Sequence, residues 1–186
     1  MAVVLTKRRF TVTDYHLMVD AGILAEEDRV ELIQGEVVEM APIGRYHAAC
    51  VRRLTQLFAS LLERRVIVSV QNPVPLGTDS EPQPDIALLR PCADFYRDTP
   101  LLPADVFLLV EVADTSLAAD RAVKVPLYAQ AGIREAWLVD LSGDRIELHR
   151  TPRPNGYLDV TGWHRGQAVA LQAFPDVTIA VEDILG

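Results

Sequence analysis

Cysteine is nearly absent. Cys50 and Cys92 are the only two in 186 residues, too few and too scattered for a disulfide framework or a metal knuckle, so both read as reduced, partly buried thiols. Long apolar runs are missing as well: Val106 to Val110, as long as any uncharged apolar run in the chain, is far too short to span a bilayer. Lysine is scarce, with Lys7 and Lys124 the only two among 18 basic residues, and Asn72 and Asn155 are the only asparagines. Positive charge is short overall. The formal net charge of −8 repels phosphate backbones at long range, so any nucleic-acid contact must come from a local patch. His16, His47, His149 and His164 show no ligand spacing to one another, which argues against zinc. In Met1 to Arg9 an apolar stretch precedes Lys7, Arg8 and Arg9, the reverse order of a secretory signal, and the expected location is the cytoplasm, with no membrane partner.

What is present is a globular composition, 49% apolar and 24% charged, which excludes a disordered polar chain and supports one domain over residues 1–186. Thr13 is a plausible N-cap for a short helix ending at Gly22. Arg29 to Ile33 and Glu36 to Met40, joined by Gln34-Gly35, read as a β-hairpin. From His47 to Arg65, Val51, Leu54, Leu57, Phe58, Leu61 and Leu62 recur at spacings of three and four, the pattern of an amphipathic helix. Residues 45 to 65 hold five arginines against one glutamate, a local +4 that leaves −12 for the rest. Strand-like runs follow at Val66 to Val70, Asp85 to Leu89 and Val106 to Ala113. A helix over roughly Leu117 to Ala131 ends at Gly132, and Ala136 to Val139 reads as another strand. Strands without strict alternation, bracketed by two helices, indicate an α/β layer architecture with a core at about 29–140. A C-terminal β segment over 145–181 is expected as an extension, with turns at Pro152 to Gly156 and at Phe174-Pro175-Asp176.

Glu111 interrupts a run that otherwise looks like the centre of a sheet. An ionised carboxylate there costs several kcal/mol unless a cation, a metal or a proton meets it. Asp85 opens the apolar strand Ile86 to Leu89 directly after Pro84. If these strands are neighbours, the two acids converge on an oxygen-rich point suited to Mg²⁺ or Mn²⁺. The other reading is a strand-end salt bridge from Glu111 to Arg121 or Lys124. In a chain dominated by arginine, Lys124 carries weight, because an ammonium can orient and polarise a nucleophile where arginine suits static pairing.

Asp85, Glu111 and a lysine in this order of elements resemble the PD-(D/E)XK nuclease superfamily with its restriction-endonuclease-like fold. More closely, Glu31-Leu32-Ile33-Gln34-Gly35-Glu36, Pro84-Asp85-Ile86-Ala87, Glu111-Val112, Asp120-Arg121 with Lys124 and Tyr128, and Gly132 to Asp140 resemble the Uma-two family of restriction-endonuclease-like proteins, over about Thr11 to Asp140. The resemblance implies a mixed α/β sheet fronted by a helix and hairpin. It also implies a metal-dependent endonuclease that hydrolyses phosphodiester bonds in DNA. Asp85, Glu111 and the Val112 carbonyl would hold Mg²⁺ or Mn²⁺, and Lys124 would position the attacking water.

This chain departs from the pattern at several positions. Ala113 stands where the superfamily has its lysine, two residues after the acid. Asp114 replaces the family's usual serine, and Pro126 interrupts the helix just beyond Lys124, so that helix either begins near Val125 or kinks there. These departures favour a rival reading, a catalytically inactive scaffold serving as a binding module. Glu36 and His47 are further site candidates, each with a plain structural reading beside it. Arg45, Arg52 and Arg53 are candidate phosphate contacts; Arg64 and Arg65 read as a solvated helix face, and Tyr128 and Trp137 as core. A homodimer or higher homo-oligomer is compatible with either function.

Overall fold

The computed structural model describes residues 7–25 and 27–186; Met1 to Thr6, the apolar part of the N-terminal stretch read as unlike a secretory signal, lie outside them. The first helix, α1 (Val12–Asp20), is capped by Thr11 and not by Thr13. Asp14 decides this: its carboxylate accepts from the Thr11 backbone N–H while the Thr11 hydroxyl accepts from the Asp14 N–H, a reciprocal arrangement open to Thr11 alone. The hairpin forms as expected, β1 (Val30–Ile33) against β2 (Glu36–Glu39), with Gln34 and Gly35 both at positive φ in its two-residue turn. Its Leu32 bridges to Glu81, which ties the hairpin to the loop leading to Asp85.

The amphipathic helix α2 (Arg45–Leu62) buries Cys50, Val51, Leu54, Phe58 and Leu62. It starts two residues earlier than His47 because Gly44 takes the extended N-cap conformation. It stops at Leu62, where Glu63 turns to φ 45°, and Glu63–Arg65 continue as a single 3₁₀ turn. Behind it lies a six-stranded sheet in the order β3 (Ile67–Val70), β4 (Ile86–Leu89), β5 (Val106–Ala113), β6 (Glu135–Asp140), β7 (Arg145–Arg153), β8 (Gly156–His164). All neighbours are antiparallel except β5 and β6. That parallel pair requires a crossover, which is helical: α3 (Leu117–Ala119), a π-turn over Asp120–Lys124, and α4 (Val125–Gln130), ended by Gly132 at φ +80°.

The side-chain alternation of β5 divides the interior. Leu108, Val110 and Val112 pack with α2, while Leu109 packs with Tyr128, Ile133 and Ala136 on the crossover side. The expected C-terminal extension is largely part of the main sheet: β7 and β8 supply two of its six strands. Only β9 (Ala168–Ala170) and β10 (Thr178–Ala180) pair separately, and α5 (Val181–Leu185) closes the α2 side. No helix among the described residues is long and apolar enough to cross a membrane.

Candidate active site

The site begins with strand register. In the antiparallel pair of β4 and β5, Ile86 stands opposite Val110 and Ala87 opposite Leu109, so Asp85 falls opposite Glu111. Cross-strand partners point to the same face with Cβ atoms about 5 Å apart, and both acids face the crossover side. The Val112 N–H, 2.8 Å from Asp85 Oδ2, pins the pair together. Gln71 Nε2 donates to Asp85 Oδ1 at 3.1 Å, and His47 Nε2, from the first turn of α2, lies 3.0 Å from both Asp85 oxygens. The other His47 nitrogen, Nδ1, is buried without a partner among the described residues.

Glu111 is 4% exposed and Asp85 8%. The cation that meets Glu111 is Lys124, with Nζ 3.4 Å from Oε1; the Tyr128 hydroxyl donates to the same carboxylate. Arg121 turns away to Glu147 at 2.7 Å. Pro126 does not prevent the approach. Lacking an N–H, it falls second in α4, directly behind a π-turn whose wider ring holds Asp120 and Lys124 beside the cleft. Such turns gather at functional sites in helices.

Glu31 is a site residue that sequence reasoning passed over. It accepts from Lys124 Nζ at 3.1 Å and from the Gln83 N–H at 3.0 Å. The hairpin acid at the ammonium is therefore Glu31. Glu36 lies at the rim, half-exposed, between Lys7 and Arg9. The signal was present in the strand pattern, since Glu31 is flanked by Val30 and Leu32 in a short, mostly buried strand, just as Glu111 is flanked in β5. Asp120, likewise passed over, is buried and accepts from Ser116.

Three buried carboxyl groups, Glu31, Glu111 and Asp120, thus act on one ammonium, and Asp85 stands beside Glu111. Burial pushes Glu111 up to about 8; Lys124 opposes the shift, while Asp85 and Asp120 add to it. Burial likewise raises Asp120 against the Ser116 hydrogen bond and Lys124. Burial works against the Lys124 ammonium too, but Glu111, Glu31 and Asp120 outweigh it and hold the group protonated above the usual lysine range. A cleft of about 650 Å³ opens above these groups.

Of the arginines on α2, Arg53 donates to the Ile184 and Leu185 carbonyls at the end of α5. Arg45 stacks on the exposed Tyr46 ring, and Arg52 is exposed. Arg65 pairs with Asp176. Tyr128 and Trp137 are fully buried.

A mixed sheet between helices, with paired acids on adjacent strands and a lysine from the crossover, defines a protein of nuclease-like fold. Over residues 12–182 the sequence matches the family described as "Uma2: Putative restriction endonuclease"; the chain belongs to that family. A crystal structure described as "a putative nuclease belonging to DUF820" from Anabaena variabilis ATCC 29413 shares the fold, with a TM-score of 0.73 at 14% identity, covering 95% of this chain and 97% of that one. No curated protein matches in sequence.

Proposed function

We propose that the protein is a divalent-metal-dependent endonuclease acting on phosphodiester bonds in DNA. The observation that carries this reading is the placement of Asp85 opposite Glu111 in register, with Lys124 Nζ 3.4 Å from Glu111. The donor set fits Mg²⁺ or Mn²⁺ in kind and in charge. It is made of hard oxygens, and the buried acids outnumber the one ammonium, so that ionising Glu111 leaves negative charge for a cation to offset. Among the described residues, no three acidic, histidine or cysteine side chains form a preformed ligand group; the ligands we assign, Asp85, Glu111 and the Val112 carbonyl, are those the family resemblance implies. When bound, the ion supplies charge neutralisation at the phosphate and acidifies water.

Each of the chain's own groups has a part. The Val112 N–H, Gln71 and His47 hold Asp85 in orientation, and Tyr128 fixes the Glu111 carboxylate. Lys124, held between Glu31 and Glu111, presents an ammonium that orients the attacking water and stabilises charge building on the phosphate. Water adds its oxygen to phosphorus as one deoxyribose oxygen departs. The products are a phosphomonoester and a hydroxyl, with one water proton on the leaving oxygen and the other released to solvent. Ala113 weakens this reading less than it did in the sequence, because Lys124 puts an ammonium beside the acids from another element.

The test is cleavage of labelled DNA with Mg²⁺ or Mn²⁺, set beside the thermal shift that the ion alone produces. Cleavage and a metal-dependent rise in Tm are expected for the native chain, and a loss of both in Asp85→Asn and Glu111→Gln. A chain that neither cuts nor responds to the ion, or an Asp85→Asn variant that cuts normally, would sink the assignment.

A further inference from the structure

The cleft has a property that the proposed chemistry leaves unused. Val38, Met40, Ile43 and Val123 line it, and Ile43 and Val123 are 45% and 44% exposed. Apolar side chains held in solvent around a concave site mark a surface for the apolar faces of a ligand. Beyond the thymine methyls of the major groove, DNA offers such faces where its bases are unstacked, because a duplex turns phosphate and sugar outward and keeps the base faces inside.

Size and charge argue the same way. The acids lie at the cleft floor, almost without exposure, beneath about 650 Å³ of space, the scale of a small-ligand pocket. At the rim, Arg9 and Arg29 are set against Glu36, Glu39 and Asp114. This is no broad cationic face of the kind that grips both backbones of a duplex. The nearby helix does not supply one either, with Arg53 committed to α5 and Arg65 to Asp176.

Resting on the nuclease reading of the same site, we infer that the cleft takes an unpaired stretch of DNA. A single strand enters with base faces against Ile43 and Val123, and its phosphate is brought down to Lys124 and the acids. The experiment compares three labelled DNAs of one sequence, a single strand, a perfect duplex and a duplex with an unpaired bulge. Cleavage is followed with Mn²⁺, and binding by fluorescence anisotropy with Ca²⁺. Cutting of the single strand and at the bulge should exceed cutting of the duplex by about tenfold or more, with the same order in binding. The double variant Ile43→Ser/Val123→Ser should weaken single-strand binding about tenfold with Tm unchanged, since both side chains are exposed. A duplex cut and bound as well as the single strand overturns the inference and leaves the nuclease reading standing. If no DNA is cut, the nuclease reading falls, and the binding order alone then decides whether the cleft is a single-strand site.

Discussion

At the scale of residues, the tension lies in one ammonium serving several buried acids. Replacing Lys124 by Met leaves Glu31 and Glu111 without their cation, and breaking a buried pair from one side costs ~3–5 kcal/mol. For a chain of this length that is roughly 6–20 °C in Tm. Adding Glu31→Gln to Lys124→Met should recover part of the loss, because the carboxylate that lies 3.1 Å from the ammonium is gone; urea unfolding of the single and double variants measures the coupling. If Lys124→Met unfolds like the native chain, the ammonium is not holding the cluster. The pH dependence follows from Glu111, whose carboxyl titrates near 8 folded against 4.5 as the ordinary value. A raised folded value means that the folded chain keeps a proton the unfolded chain gives up. The resulting stability is complete below pH 4.5 and is lost as pH rises toward 8. Burial is the main cause of the shift; of the groups facing Glu111, Lys124 and Tyr128 oppose it and Asp85 and Asp120 add to it. In EDTA, the unfolding free energy should therefore fall by a few kcal/mol between pH 5 and pH 8, and Glu111→Gln should flatten that slope. An unchanged slope in the variant would assign the effect to another group.

At the scale of elements, the hairpin delivers Glu31 to the site, and its turn is the point to probe. Gly35 sits at φ +76°, and a Cβ there would lie 2.7 Å from Arg9 Cβ and 3.0 Å from the Phe10 carbonyl oxygen. Gly35→Ala should therefore cost ~1–3 kcal/mol through strain and the clash with backbone. It should also raise the salt sensitivity of any remaining stability as Glu31 loosens from Lys124; urea midpoints at two ionic strengths report both, and a variant as stable as the native chain would show the turn to be tolerant. The hairpin, α2 and the strands β3 to β6 were legible because each follows from period or turn chemistry over a few residues. Asp85 and Glu111 were legible for a related reason, as charge out of place in apolar strands. The π-turn was not, because its only trace is a proline two residues after a lysine, and whether the helix kinks, restarts or widens there depends on packing against Glu111 and Tyr128. The merging of β7 and β8 into the main sheet escaped the sequence as well, since strand order is set by which edge is open, and local pattern carries no record of it.

At the scale of the molecule, the charge distribution argues against a large electrostatic footprint. The net charge is −8, and the +4 of residues 45 to 65 is partly spent inside the protein: Arg53 caps α5, Arg65 pairs with Asp176, and Arg45 leans on Tyr46. Arg9, beside Glu36, and Arg29 lie at the cleft rim and Lys124, between Glu31 and Glu111, at its floor, with Arg52 exposed on α2. A protein that neutralises only two or three phosphates of a single strand should show a slope of log affinity against log salt of about −2, since each contact contributes roughly −0.7. Anisotropy titrations of a labelled single strand in Ca²⁺, repeated from about 50 to about 200 mM salt, measure this slope. It should shrink by close to one contact in Arg29→Ala and stay unchanged in Arg53→Ala, although the latter should unfold more easily once the α5 carbonyls lose their donor. A slope as steep as −5 would require a cationic face much wider than the cleft rim, and would move DNA recognition from the hairpin to the exposed side of α2.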